Sequence, residues 1–158
     1  MASLFCADLA SQYQMMALQG YKRTERYFSR DEMEEAYCLS RFIVDHLQML
    51  PDISVDYTAP PVAGSIKDLL ECKMVFYNES LLRLKKIVEL SYSGQRYELA
   101  EYASCMATCQ ERSLVKLRRC YNELVYTGWD KAYAMMHSER LHRKFKKKEA
   151  KKQGRKIE

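Results

Sequence analysis

Histidine and cysteine are two residue types in this chain that could do chemistry, and the three histidines are His46, His137 and His142. His46 falls on the apolar line of a predicted helix. Two interpretations of it stay open: a core histidine hydrogen-bonded to a backbone group or a Tyr hydroxyl, or a partial metal ligand. Ile43 stands three residues before it, at the position that Glu takes in an E-x-x-H metal motif.

The six cysteines are scattered along the chain without a C-x-x-C pair. We expect reduced, mostly packed thiols in a cytosolic protein. Cys105 and Cys109 stand at i and i+4 on a predicted helix, so a soft metal could bind both, but no nearby Cys or His completes tetrahedral ligation. The chain also lacks the G-x-S-x-G, P-loop and G-x-G-x-x-G motifs. Enzyme classes that depend on those motifs therefore have no support.

Charge is distributed unevenly along the chain. Residues 139–158 contain ten Lys or Arg and three Glu, net +7, whereas the rest of the chain is net −2. Such a run is either a solvated, partly helical end or a site that binds nucleic acid through its phosphates without reading sequence. A membrane-surface helix would need more apolar area than Leu141 and Phe145 supply. The candidate nucleic-acid-binding residues are Arg140, Arg143, Lys144, Lys146, Lys147, Lys148, Lys151, Lys152, Arg155 and Lys156.

The elements that position these residues are predicted to be helices. A chain of 158 residues with five Gly, three Pro and 30% charged residues suits a single all-helical domain. The one long break is the connector, residues 51–65, which contains all three prolines. Antiparallel helix neighbours need only about 2–8 connecting residues, and this connector reaches about 50 Å when extended. It can therefore deliver the next helix parallel to the previous one.

Apolar periodicity predicts helix A at residues 3–28 and helix B at residues 31–50, with Ser29 as the N-cap of helix B. Helix A has two candidate buried lines, one starting at Leu4 and Ala7 and the other at Phe5 and Leu9. Within the connector, the alternation of Ile53, Val55 and Tyr57 with polar residues predicts a short extended segment.

Three more helices are predicted after the connector. Helix C follows Ser65, and helix D returns antiparallel to it after a turn at residues 91–96. Helix D ends at Thr127-Gly128, and a fifth helix starts near Trp129. The predicted apolar line of helix C is Leu70, Met74, Tyr77, Leu81, Leu84 and Val88. The predicted line of helix D is Leu99, Tyr102, Met106, Cys109, Ser113, Leu117, Cys120 and Leu124.

Residues 3–136 resemble the ferritin-like superfamily in the number and length of their helices and in the long B–C crossover. YQMMALQGYKRTERYF, residues 13–28, is similar to the ferritin first helix. On that resemblance Tyr21 falls on the family's tyrosine and Gln14 falls where the family has a metal-binding glutamate. VDHLQML, residues 44–50, is similar to the second-helix E-x-x-H-A-x-x-L, with His46 on the histidine.

The third and fourth helices carry the weaker part of the resemblance. Glu79 is the acid nearest to the family's glutamate in LLECKMVFYNESLLRL, and Gln110 or Glu111 answers to the E-Q pair in CQERSLVKL. The predicted helical phase turns Glu79 and Glu111 away from the core. The resemblance thus implies iron as a possible cofactor and a degenerate, incomplete ferroxidase site, whose tentative ligands are Gln14, Tyr21, His46, Glu79 and Glu111.

The sequence therefore predicts an all-α, ferritin-like four-helix bundle at residues 1–136, with a short fifth helix and a basic C-terminal tail at residues 137–158. We expect a cytoplasmic homo-oligomer without a signal peptide or a membrane span. Two functions stay open. One is iron binding or storage with ferroxidase activity implied only by the resemblance. The other is a non-catalytic helical binding protein whose tail attaches to nucleic acid, as lysine-rich tails do in ferritin-like mini-cages that coat DNA.

Overall fold

The computed structural model describes residues 2–48 and 57–154, and every regular element in those ranges is a helix. This confirms the all-α class. The predicted extended segment lies outside the described residues, except for Tyr57. None of the helices that the structure describes is long and apolar enough to cross a membrane. The five helices are α1 (Ala2–Met15), α2 (Gln19–Leu47), α3 (Ile66–Ser93), α4 (Tyr97–Tyr126) and α5 (Lys131–Gly154).

The helices form two compact units. In unit 1, α2 packs against both α1 and α5, and unit 2 consists of α3 and α4. The connector residues from Tyr57 to Ala63 belong to unit 1. The residue 136 boundary predicted for the tail falls inside α5, which is one helix from Lys131 to Gly154. The ferritin-like arrangement of four helices stays a prediction.

The predicted boundary between helices A and B is wrong. Helix α1 ends at Met15, and α2 then continues without interruption through Ser29. Ala17 adopts a left-handed φ of 59°, and the Leu18 amide donates to the Tyr13 carbonyl at 2.9 Å, which closes the turn. Ser29 does not cap a helix, because its hydroxyl donates to the Ser3 carbonyl of α1 at 2.9 Å. Ser29, which has the residue type of a helix N-cap, instead forms a hydrogen bond between α2 and α1.

Within α1, the core of unit 1 follows the second of the two lines predicted for the first helix; beyond α1, Leu18 and Tyr21 from the first line are buried and Tyr27 from the second is exposed. Phe5 and Leu9 are buried, whereas Leu4 and Ala7 are exposed. The described end of the connector is fixed against α1 through Gln12. The Gln12 side chain accepts from the Ala63 amide at 2.8 Å and donates to the Pro61 carbonyl at 3.3 Å. These bonds satisfy both ends of a buried amide side chain.

Unit 2 is a helical hairpin whose ends the sequence predicts well. Ser65 is the N-cap of α3 and accepts from the Asp68 amide at 3.2 Å. Residues 94–96 form the turn between α3 and α4. Gly128, with a φ of 64°, follows the end of α4. The predicted line of α3 is confirmed, because Leu70 and Tyr77 are buried and none of its members is exposed.

The predicted line of α4 is displaced by one residue over its first four turns. Cys109 from that line is exposed, and the neighbouring Gln110 is buried. The prediction favoured large apolar side chains, but the face that packs is lined mainly by alanine, which lets two helices approach closely. The buried residues of this stretch are Ala100, Ala103, Ala107, Gln110 and Leu114.

Candidate nucleic-acid interface

The exposed part of α5 is the densest group of like charges that the structure describes. Arg140, Arg143, Lys144, Lys146 and Lys147 are all exposed. Lys148, Lys151 and Lys152 lie in the same helix, and Arg155 and Lys156 lie outside the described residues. Steps of three, one and three residues place four of these cations on one helical face. We call this face the basic stripe: Arg140, Arg143, Lys144 and Lys147.

Few anions of α5 oppose this stripe. Arg143 lies 3.5 Å from the Glu139 carboxylate, and both side chains are exposed. Such an exposed i, i+4 pair is weak, at about 0.3–0.5 kcal/mol. Arg140 donates to the Met136 sulfur at 3.7 Å, which uses one of its five N–H donors. The cationic heads therefore remain available to an anionic ligand.

The basic stripe follows a stretch of α5 that is anchored on α2. Ala134 and Ser138 are buried. The Gly20 amide donates to the Ser138 hydroxyl at 2.9 Å, and a Cβ built on Gly20 would lie 1.7 Å from the Ser138 carbonyl oxygen. A real Cβ cannot approach an oxygen so closely. Gly20 is therefore the residue that allows the two helix backbones to meet.

Tyr21 adds a second bond to this anchor. Its hydroxyl and His137 Nδ1 are 2.6 Å apart. The Tyr21 ring stacks on buried Tyr13, with centroids 5.2 Å apart, and the His137 ring stacks near Tyr133. Sequence reasoning missed this cluster. The i, i+4 spacing of Tyr133 and His137 was the available signal, but nothing local marks Tyr21, the partner of His137, which lies 116 positions away.

The other metal candidates of unit 1 are exposed, whereas Tyr21 is buried. Gln14 is exposed, and the buried glutamine of α1 is Gln12. His46 is also exposed, with its ring stacked on Phe42 at a centroid distance of 4.7 Å. The interpretation of His46 as a core histidine is therefore wrong. This end of α2 lies beyond the part of the helix that α1 covers, because Ser29 already contacts Ser3 near the start of α1.

The two acids from unit 2 point outward, as the predicted phase requires. Glu79 lies 3.9 Å from Arg83, and Glu111 lies 2.8 Å from Lys85. All four side chains are exposed. Gln110, the alternative to Glu111, is the buried member of that pair. Cationic partners and solvent exposure make these carboxylates poor iron ligands.

The described residues contain no group of three or more His, Cys, Asp or Glu side chains that could hold a metal ion. His46, Glu79 and Glu111 therefore belong to no such group, and iron binding stays a prediction of the resemblance. One spacing was overlooked in the sequence: Glu139 and His142 form an E-x-x-H. In the structure the Glu139 carboxylate pairs with Arg143, whereas His142 Nδ1 is buried.

The cysteines all lie among the described residues, and none forms a disulfide. The expectation of packed thiols is wrong for Cys38, Cys105 and Cys109, which are exposed. Cys6 is fully buried. Burial also raises the pKa of the Cys72 thiol, which disfavours the thiolate that nucleophilic chemistry would need.

In unit 2, the surroundings of Tyr121 change its pKa. The Tyr121 hydroxyl donates to Glu71 Oε1 at 2.6 Å, and the Trp129 ring lies edge-on at 5.1 Å. The hydrogen bond with Glu71 raises the pKa of Tyr121, and desolvation and the carboxylate charge add to the effect. A phenol with a raised pKa remains protonated at neutral pH, so it holds Glu71 in place and is not a base.

Comparison with known proteins gives no family for this chain. No protein-family model matches it, and no curated protein matches it.

Proposed function

We propose that this protein is a non-catalytic helical binding protein that attaches to nucleic acid through α5. The observation that carries the proposal is the basic stripe, a row of exposed cations on a continuous helix. Over 24 residues that helix is about 36 Å long. Its charge is concentrated, since the last twenty residues of the chain have a net charge of +7 and the remainder −2.

The chemistry of the stripe favours phosphates over bases. Arg and Lys bind phosphate oxygens, and such contacts position a protein on nucleic acid without reading its sequence. Each phosphate contact on B-DNA contributes about −0.9 to the slope of log K against log salt. Five contacts, one for each cation shown exposed from Arg140 to Lys147, would therefore give a slope of about −4 to −5. Dissociation constants for binding of this kind are about 10⁻⁴ to 10⁻⁶ M at physiological salt.

The test is a charge-matched comparison in the full chain. Replacing Arg140, Arg143, Lys144 and Lys147 with Gln removes the basic stripe. Replacing exposed Arg83, Lys86, Lys116 and Arg119 with Gln removes the same charge from unit 2. We expect the first variant to lose duplex binding at about 50 mM salt by about tenfold or more, and the second to keep it within about threefold. Equal losses would mean that binding follows net charge, and the proposed site on α5 would be wrong.

A ferritin-like arrangement, self-association and a cytoplasmic location remain proposals from the resemblance. The helix lengths of 28–30 residues in α2, α3 and α4 and the short turn between α3 and α4 support the bundle. An iron-related role predicts that purified protein binds ferrous iron and speeds its oxidation. Ferrous oxidation at the background rate, with no bound iron, would eliminate that role and would leave nucleic-acid binding unaffected.

A further inference from the structure

The anchor of α5 on α2 allows only glycine at position 20. The Cβ position of Gly20 lies 1.7 Å from the Ser138 carbonyl oxygen and 2.5 Å from its carbon, both of which are backbone atoms. A flexible side chain could move aside, but a helix backbone moves only as a whole. Any side chain at position 20 therefore displaces α5 from α2. The Gly20–Ser138 and Tyr21–His137 hydrogen bonds would be lost with that displacement.

The cationic part of α5 needs such an anchor to be helical. Like charges four residues apart destabilise a helix, and this segment has several, including Arg140–Lys144 and Arg143–Lys147. Of the side chains described from Arg140 to Lys147, Leu141 and His142 are half-buried and the others are exposed, and a short helix with few tertiary contacts is marginal in water. The anchored turns around Ala134 and Ser138 directly precede the basic stripe. They supply a formed helix on which the next turns can propagate.

We propose that Gly20 is a positioning residue that presents the basic stripe as a preformed helix, and that the ligand is double-stranded nucleic acid. The inference rests on the proposed function and adds the ligand class and the device that orders the site. A rigid row of cations fits a regular array of phosphates better than it fits a flexible single strand.

The dimensions of a helix also favour a duplex. An α-helix with its side chains is about 10–12 Å across, and the major groove of B-DNA is about 12 Å wide. A preformed helix loses little conformational entropy on binding, because its order is already provided by the folded protein.

The experiment compares Gly20→Ala with Gly64→Ala in the full chain. Gly64 is the matched control, since the nearest atom to its Cβ position is a side-chain oxygen at an ordinary 3.7 Å. Hydrogen exchange measures how well the α5 helix is formed. We expect the α5 amides to exchange about tenfold or more faster in Gly20→Ala than in the wild type, and at the wild-type rate in Gly64→Ala. Binding is measured by anisotropy with a duplex and a single strand of about 20 nucleotides at about 50 mM salt.

We expect Gly20→Ala to weaken duplex binding about tenfold and single-strand binding by less than about twofold, because a disordered cationic tail still attracts a flexible strand. If Gly20→Ala disrupts the whole fold, Ser138→Ala provides the test, since it removes the acceptor of the Gly20 amide without adding volume. We expect a smaller change in the same direction from Ser138→Ala.

The outcomes separate this inference from the proposed function. Wild-type protein that binds neither strand form contradicts both. Binding that is lost with the basic stripe but unchanged in Gly20→Ala, or that favours the single strand, overturns this inference and leaves the proposed function standing. Slow exchange of α5 amides in Gly20→Ala would show that the anchor does not order the helix, and the inference would also be wrong.

Discussion

The two units hold their helices together by different means. In unit 2, α3 and α4 are neighbours in sequence, joined by residues 94–96, and they pack through small side chains such as Ala103. In unit 1, α2 and α5 meet 118 positions apart along the chain, at Gly20 and Ser138. There the contact is between backbones, and hydrogen bonds stabilise it.

This difference separates helices whose ends are determined by neighbouring residues from a helix that is stabilised by a residue far away in the sequence. The hairpin of unit 2 has a side-chain cap at Ser65 and a short turn, so its ends are encoded within a few residues. The basic end of unit 1 has an unfavourable charge pattern, and its helical state depends on a remote glycine. A binding helix can therefore be formed from residues that would not remain helical by themselves.

The largest effects should come from the apolar cores, which the two units share as a stabilising feature. Leu9 in unit 1 and Leu124 in unit 2 are both 0% exposed. We expect Leu9→Ala and Leu124→Ala each to lower the free energy of unfolding by about 2–5 kcal/mol, because each removes a buried side chain and leaves a cavity. Urea denaturation measures both changes.

The controls for these substitutions are leucines on the surface of the same units. Leu4 is 48% exposed and Leu82 is 67% exposed, so truncation to Ala should change the free energy of unfolding by about 0.5 kcal/mol or less. A core variant that matches its surface control would show that the corresponding leucine is not packed as the structure has it.

Substitutions at two serines should have smaller effects on the free energy of unfolding. They compare a contact within one helix with a contact between two helices. Ser65→Ala removes the N-cap of α3 and should cost about 1 kcal/mol. Ser29→Ala removes the bond to the Ser3 carbonyl and should cost about 0.5–1.5 kcal/mol. Thermal and urea unfolding give these values. Hydrogen exchange locates them: the first turn of α3 should lose protection in Ser65→Ala, and the amides near Ser3 should lose it in Ser29→Ala.

Sequence reasoning predicted unit 2 more closely than unit 1 for the same physical reason. Ser65, the turn at residues 94–96 and Gly128 act through neighbours on the chain, so propensity and spacing are enough to place them. The one-residue error in α4 arose because the packed face is alanine-rich, and Ala103 and Ala107 were given less weight than the larger Tyr102 and Met106.

The errors in unit 1 have a different origin. Ser29 has the residue type of an N-cap, but tertiary contact with Ser3 overrides that propensity. Gly20 was treated as an ordinary residue within a long helix, because its role depends on Ser138. Periodicity placed His46 on an apolar line, yet periodicity says nothing about whether another helix covers that line. The basic stripe was predicted correctly as a charge cluster, since charge is visible in sequence, but its anchor was not.

The smallest effect that we predict is on the pKa of Tyr121, which pairs with Glu71 at the surface of unit 2. It is measured by pH titration. The hydrogen bond from the Tyr121 hydroxyl to Glu71 raises the pKa of Tyr121 above its usual value of 10.0 in the folded protein. The unfolded chain therefore releases this proton first as the pH rises past 10, and the folded state loses stability through that window. At neutral pH the tyrosine is protonated in both states, so no change in stability is expected there.

Glu71→Gln should lower the pKa of Tyr121 toward its usual value. The measurement is the phenolate absorbance that a Tyr121→Phe variant lacks. Glu79→Gln is the matched control, because it removes an exposed acid from the same helix without contacting Tyr121. A Tyr121 signal that is insensitive to Glu71→Gln would show that this bond, which links α4 to α3 within unit 2, does not persist in solution.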